Sequence, residues 1–419
     1  MSEIIVNGGK KLYGGITVQG AKNSVLPVLA ATVLCEKECV IHNCPALSDV
    51  GTSLKILRAL GCECEAEGDT VTVNSKGINA YEIPDNLMRE MRSSVVFLGA
   101  VIGRCGRAVI SSHGGCELGP RPIDLHLSAL RRMGVTVTEE HGYLICTAEK
   151  GLRGAEISLG FPSVGATENI ILAATTAKGV TTIHGAAKEP EISDLADFLN
   201  SAGARIYGSG SDCIRIYGVE RLCGTEHTII PDRIAAATYM ACAAVTGGKI
   251  TLCNIMPSHM VSTLWVFREA GCEVELSGKS ITLSAPERLK RVPTVRSLVY
   301  PGFPTDAGPI VVAMLTVAEG TSVFVENIFE NRFRYIDELK RFGAKIKTEG
   351  KIAVTEGVEE LSAADCKSTD LRGGAALVIA ALTAYGESKI GDIHHIERGY
   401  DDIVSVLGAL GADIKYSKD

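Results

Sequence analysis

The sequence predicts an α/β protein of two lobes, each made of three copies of one unit that buries its helices and turns its sheets outward. Three observations predict it. One short phrase, closing a helix and opening a strand, occurs six times, as RALGCECE, RRMGVTVT, NSAGARIY, REAGCEVE, KRFGAKIK and GALGADIK. Upstream of each lies an Ala-rich apolar stretch: SVLPVLAATVL, SSVVFLGAVIG, ENIILAATTA, RIAAATYMACAAV, PIVVAMLTVA and AALVIAALTAYG. The segments after the phrase, such as AKIKTEG and KIAVTEG, alternate apolar and polar residues around a tight turn.

The glycines of the phrase, Gly61, Gly134, Gly203, Gly271, Gly343 and Gly411, are spaced by 73, 69, 68, 72 and 68 residues, too regular for chance. Each stands where a helix ends and the backbone turns to positive φ. The apolar stretches have no polar face, so they read as helices that must be buried. A short strand follows each (VIHNC, AVISS, TTIHG, KITLC, SVFVE, SKIGD), then a more polar helix, then the glycine phrase and a hairpin with one wet face. The unit is therefore helix, strand, helix, strand, strand. The sixth copy stops at ADIKYSKD without its last strand, while the chain begins with the orphan strand EIIVNGG. The N-terminal strand is expected to complete that copy. Residues 21–230 then hold repeats one to three, and residues 1–20 with 231–419 hold repeats four to six, with the active site expected in the cleft between the lobes.

Length and composition agree with two lobes. The chain has 419 residues, and single cores stop growing near about 250–300 residues. With 46% apolar residues, 22% charged residues and a net charge of -7, it reads as an ordinary globular protein without the basic surface of a nucleic-acid binder. The start, MSEIIVNGGKKLYGG, carries no apolar core of a signal peptide, and no apolar run reaches the roughly 18 residues of a membrane span. A cytoplasmic protein without membrane partners is expected. Fourteen cysteines in such a context read mostly as small buried hydrophobes with free thiols. No CxxC or HExxH occurs, and His394 and His395 are adjacent, so no metal is expected.

The segment SSHGGCELGPRPIDLHLSALRRMG places Cys116 in a Gly-rich loop ahead of a helix whose first turn holds Pro122 and Asp124. A thiol there, near a helix N-terminus and Arg121, would gain reactivity; the plain alternative is one more packed cysteine. Cations recur at matching places in several copies: Lys22, Arg92, Arg121, Arg332, Arg372 and Arg398. Singly each reads as a surface ion pair; together they suit an anion carrying phosphate and carboxylate. Asp306, in PGFPTDAGPIVV, stands before a buried helix, as a cap or as a general base for a hydroxyl. Asp232 and Asp370 occupy comparable places, so capping explains all three and spacing does not choose among them. Ser163, Val164 and Gly165 precede the helix of repeat three, where backbone N–H groups suit a diphosphate or a plain cap. No GxxxxGK[ST] or well-placed GxGxxG argues for a kinase or dehydrogenase.

Together VQGAKNSVLP, MRSS, GGCELGPRPIDLH, FPSVGATEN, PGFPTD, ENIFENRF, TDLRGGAALV and HHIERGYDDI resemble the UDP-N-acetylglucosamine 1-carboxyvinyltransferases, of the enolpyruvyl transferase superfamily, over essentially the whole chain. The resemblance implies a two-domain inside-out α/β barrel and transfer of the enolpyruvyl group of phosphoenolpyruvate to the 3-hydroxyl of UDP-N-acetylglucosamine, with no cofactor. It implies that Lys22, Asn23, Arg121, Arg332, Arg372 and Arg398 hold phosphoenolpyruvate, with Lys22 and Arg398 counted among the catalytic residues. Asn23, Arg92, Arg121, Pro122, Ile123, Asp124, Leu125, Ser163, Val164, Gly165, Asp306 and Ile328 would line the nucleotide-sugar pocket. Cys116 would donate a proton to the methylene carbon, carry a phosphoenolpyruvate adduct and be the residue that fosfomycin alkylates; Asp306 would take the sugar hydroxyl proton. Gly160 and Phe161, where polar residues are common, and Glu397, in place of an aspartate, depart from the family pattern. Rival readings are 5-enolpyruvylshikimate 3-phosphate synthase, which lacks the loop cysteine, the RNA 3-terminal phosphate cyclases, which an acidic chain disfavours, and a silent paralogue that binds nucleotide sugar without turnover.

Overall fold

In the computed structural model, which describes residues 3–111 and 123–417 apart from the side chain of Arg92, the all-apolar stretches fold as buried helices. They are Lys22–Ala31, Phe97–Cys105 and Val164–Thr175, then Arg233–Val245, Gly308–Leu315 and Leu371–Thr383. Every residue of Gly308–Leu315 is buried, and Arg233–Val245 is buried from Arg233 through Ala244. Each Val, Leu or Ile so enclosed contributes about 1.5–3 kcal/mol relative to exposure, so these helices are held by their surroundings more than by their own propensity.

The described residues divide into two compact units, one within Gly20 to Ile230, the other joining the residues up to Gln19 to those from Pro231 onward. Each has its own apolar core. In the second unit the helices Arg233–Val245, Gly308–Leu315 and Leu371–Thr383 pack on one another. In the first, Phe97–Cys105 packs on both Lys22–Ala31 and Val164–Thr175. Gly99 permits a close approach to Val164–Thr175, since a Cβ there would stand 2.3 Å from the Asn169 carbonyl oxygen.

Sheets of three or four strands cover these helices. They stay separate, so the helices-inside arrangement is present without a closed barrel among the described residues. In each, the second hairpin strand lies between the first and the strand that follows the buried helix; Thr70–Asn74, for example, pairs antiparallel with both Glu63–Glu67 and Cys39–His42. In the last sheet that central position belongs to Ile4–Asn7, antiparallel to Glu387–Gly391 and Asp413–Tyr416, with Ile4 opposite both Ile390 and Tyr416. The structure adds a strand that the sequence pattern did not predict. Glu156–Ser158, Thr294–Arg296 and Asp365–Lys367 each run parallel to the strand beyond the following buried helix. Three residues are too few to show an alternating pattern.

The six phrase glycines all have positive φ, from 86° at Gly343 to 107° at Gly203. At Gly61 the N–H bonds to the Arg58 carbonyl and that of Cys62 to the Leu57 carbonyl, the paired closure that satisfies the last free carbonyls of a helix. The same pair recurs at Gly134, Gly203, Gly271 and Gly411. No helix among the described residues is long and apolar enough to cross a membrane.

Thirteen cysteines are described, all as free thiols. Eight are buried; Cys213, Cys223 and Cys253 are exposed. Burial pushes the Cys146 thiol up to about 11 and those of Cys44, Cys272 and Cys366 to about 12. Alkylation of the folded protein at pH 8 should therefore label Cys213, Cys223 and Cys253 and spare these four, read by peptide mass spectrometry. Labelling of the buried four at the same rate would show that the cores open readily.

Candidate active site

The three aspartates that sequence alone could not separate have different roles. Asp232 Oδ1 accepts from the N–H groups of Ile234 and Ala235 at 2.8 and 2.9 Å, and Asp370 Oδ1 from those of Arg372 and Gly373 at 3.0 Å each. Both are helix caps. Asp306 is not, which corrects the capping reading. It lies inside the 3-10 turn Thr305–Ala307, and the helix behind it begins at Gly308 with no side-chain cap. Its carboxylate instead meets two guanidinium groups: Oδ1 accepts from Arg332 Nη2 at 2.9 Å, and Oδ2 stands 3.6 Å from Arg372 Nε.

Arg332 and Arg372 are 4% and 2% exposed, so neither is the surface ion pair that each looks like in isolation. Arg372 lies over the Tyr400 ring at 5.4 Å and Arg332 over the Phe329 ring at 5.5 Å, apolar ground that withdraws both cations from water. Among the described residues, Arg332 Nε and Arg372 Nε and Nη1 are buried without a hydrogen-bond acceptor. Buried donors in that condition cost free energy, which an anion accepting them would recover. Burial pushes the Tyr400 phenol up, with Arg372 acting the other way, and its hydroxyl pairs with Thr238 Oγ1 at 2.8 Å. Arg398 is half-buried in the turn just before Tyr400. Two bonds to Gln19 hold that turn: Gln19 Nε2 donates to the Gly399 carbonyl at 3.2 Å, and the Asp401 N–H donates to Gln19 Oε1 at 2.8 Å. Ile328, in the loop leading to Arg332, is half-buried, its N–H given to Glu326. Asp306, Ile328, Arg332, Arg372 and Arg398 all belong to this unit.

In the other unit, Lys22 opens its buried helix and is 7% exposed, with Nζ 2.8 Å from Asp49 Oδ2. Asp49 sits in the first turn of Ser48–Ala59 and is 2% exposed. The sequence reading missed Asp49; an acid in a helix first turn is commonplace, and nothing local marks its partner. Asn23, the next residue after Lys22, is exposed. Ser163 caps Val164–Thr175 by accepting from the Ala166 N–H at 3.3 Å, so Val164 and Gly165 stand in the first turn of the helix.

The helix Asp124–Arg132 carries Asp124, exposed, and Leu125, half-buried, with Ile123 just before it. Buried Asn169 joins it to the Ser163 segment: Nδ2 lies 2.9 Å from His126 Nδ1 and donates to the Gly165 carbonyl at 3.3 Å, and Oδ1 accepts from the Gly99 N–H at 2.6 Å. Two stretches far apart in the chain, 123–125 and 163–165, thus share one polar anchor. Arg92 begins the 3-10 turn Arg92–Val96; its side chain, and Cys116, Arg121 and Pro122 entirely, lie outside the described residues.

An acid thus stands against two buried arginines, in a chain whose apolar helices are covered by sheets. The family model described as EPSP synthase (3-phosphoshikimate 1-carboxyvinyltransferase) matches residues 6–407, and the chain belongs to that family. Within it the chain is 50% identical over 414 residues, 99% of either chain, to UDP-N-acetylglucosamine 1-carboxyvinyltransferase 2 of Caldanaerobacter subterraneus. It is 44% identical over 419 residues, the whole of both chains, to UDP-N-acetylglucosamine 1-carboxyvinyltransferase of Geobacter metallireducens. Among solved structures, the enolpyruvyl transferase NikO of Streptomyces tendae shares the fold at a TM-score of 0.90 and 24% identity, covering 100% of this chain and 99% of that one.

Proposed function

We propose that this protein transfers the enolpyruvyl group of phosphoenolpyruvate to the 3-hydroxyl of UDP-N-acetylglucosamine and releases phosphate, the first committed step of peptidoglycan synthesis, in the cytoplasm. The observation that carries this reading is the Asp306 carboxylate lodged against Arg332 and Arg372, in a chain alike end to end with enzymes named for that reaction. Cys116 is the acid that protonates the methylene carbon of phosphoenolpyruvate. The central carbon becomes cationic, the sugar 3-oxygen bonds to it, and Asp306 takes the hydroxyl proton. The carbon–oxygen bond to phosphate then breaks and the methyl group gives back a proton, restoring the double bond as an enol ether. No electrons change hands, so the chemistry calls for no redox cofactor. Lys22, Arg121, Arg332, Arg372 and Arg398 hold the phosphate and carboxylate and offset the charge of the departing phosphate.

Phosphate release from phosphoenolpyruvate, run in parallel with UDP-N-acetylglucosamine and with shikimate 3-phosphate, tests the reading. Turnover is expected with the nucleotide sugar alone. Turnover with shikimate 3-phosphate alone would make the protein a shikimate enzyme. Silence with both, despite tight sugar binding, would make it a non-catalytic paralogue.

A further inference from the structure

Glu326 is 1% exposed and follows the strand Thr321–Val325. A buried carboxylate is costly unless every oxygen is satisfied, and here neutral donors surround it. Oε1 accepts from Ser297 Oγ at 2.8 Å, the Ile328 N–H at 2.7 Å and the Phe329 N–H at 3.1 Å; Oε2 accepts from Thr305 Oγ1 at 2.8 Å. Ser297, fully buried, extends the anchor by accepting from the Asn327 N–H at 2.8 Å. Thr305 is the neighbour of Asp306 in its 3-10 turn, and Phe329 supplies the ring beneath Arg332. The contacts close a circuit: Glu326 to Thr305 and Asp306, Asp306 to Arg332, Arg332 over Phe329, and Phe329 back to Glu326.

We infer that Glu326 is the positioning residue of the reaction, fixing at once the turn that carries the base and the loop that carries its arginine. It touches no reacting atom. Its effect comes through geometry, since misplacing a reacting group by about 1 Å costs on the order of a hundredfold in rate. This inference rests on the proposed transfer reaction, so each variant is assayed beside the wild-type enzyme; a silent wild type would sink that reaction and leave the positioning role to be judged on phosphoenolpyruvate binding.

The variants are E326Q, E326A, T305V and E326A/T305V, measured for kcat, KM for both substrates, the pH profile and melting temperature. A glutamine keeps the oxygen that serves three donors and turns its NH2 to Thr305, whose hydroxyl can accept. E326Q should therefore retain kcat within about threefold, a loss of under 1 kcal/mol by the usual conversion, with the acid limb of its pH profile unmoved. E326A should lose about a hundredfold in kcat, with KM for UDP-N-acetylglucosamine little changed. T305V should slow the wild type by about tenfold yet add almost nothing to E326A, because both cut the same connection. If E326A does not fold, T305V and E326Q still decide. Normal kcat in folded E326A or in T305V, fully multiplying losses in the double variant, or an E326Q as slow as E326A would each overturn the inference.

Discussion

Asp306→Asn should lower kcat by about a hundredfold to ten-thousandfold, the span of a lost general base, in a protein that still binds UDP-N-acetylglucosamine. The amide has the volume of the acid and keeps an oxygen for Arg332 Nη2, so the turn Thr305–Ala307 has no steric reason to move. What it lacks is a site for the sugar hydroxyl proton. It also lacks the charge that faces two guanidinium groups, and stripping the partner from a buried cation costs about 3–5 kcal/mol. The substitution should therefore lower the melting temperature as well. Initial rates of phosphate release, with sugar binding measured by calorimetry, separate the two effects. A near-native kcat would take the base role away from Asp306 and leave it as the counter-charge of Arg332 and Arg372.

The contrast between Asp306 and the two capping aspartates shows where sequence reading ran out. Asp232 and Asp370 directly precede their helices, at Arg233 and Leu371; Asp306 precedes Gly308 by one further residue. That offset turns a cap into a carboxylate facing two guanidinium groups, and it is smaller than the uncertainty of any helix boundary read from sequence. The six positive-φ glycines were legible because a repeated turn needs the same residue at each copy. The hairpins were legible because alternation runs for five residues on most of their strands, as in Thr70–Asn74. The three-residue parallel strands carry no period. Lys22 with Asp49, and Glu326 with Thr305, join residues from separate elements, and local pattern holds no information about which acid meets which donor. The burial of Arg332 and Arg372 was likewise hidden, because a guanidinium on an all-apolar helix and one on a surface turn are spelled alike.

Arg372→Met should nearly abolish use of phosphoenolpyruvate while leaving the protein as stable as before, or more so. Arg372 is 2% exposed, with Nε and Nη1 lacking acceptors among the described residues and its face over Tyr400. A buried guanidinium carries a desolvation cost that a methionine of similar length does not, and the penalty for removing one member of a buried ion pair falls on a charge left without a partner. Asp306 would keep Arg332 as its partner at 2.9 Å. In the wild type, two such donors bonded to an anion are worth about 1.5–3 kcal/mol each. Their loss should lower kcat/KM for phosphoenolpyruvate at least about a hundredfold, at about 1.4 kcal/mol per factor of ten. Melting curves give a second readout: inorganic phosphate at about a hundred times its Kd should stabilise the wild type by about 2.7 kcal/mol and the variant far less. Equal stabilisation of both proteins would place phosphate elsewhere. A sharp fall in the variant's stability would instead make Arg372 a structural partner of Asp306 and Tyr400, its cost of burial met within the fold and not by substrate.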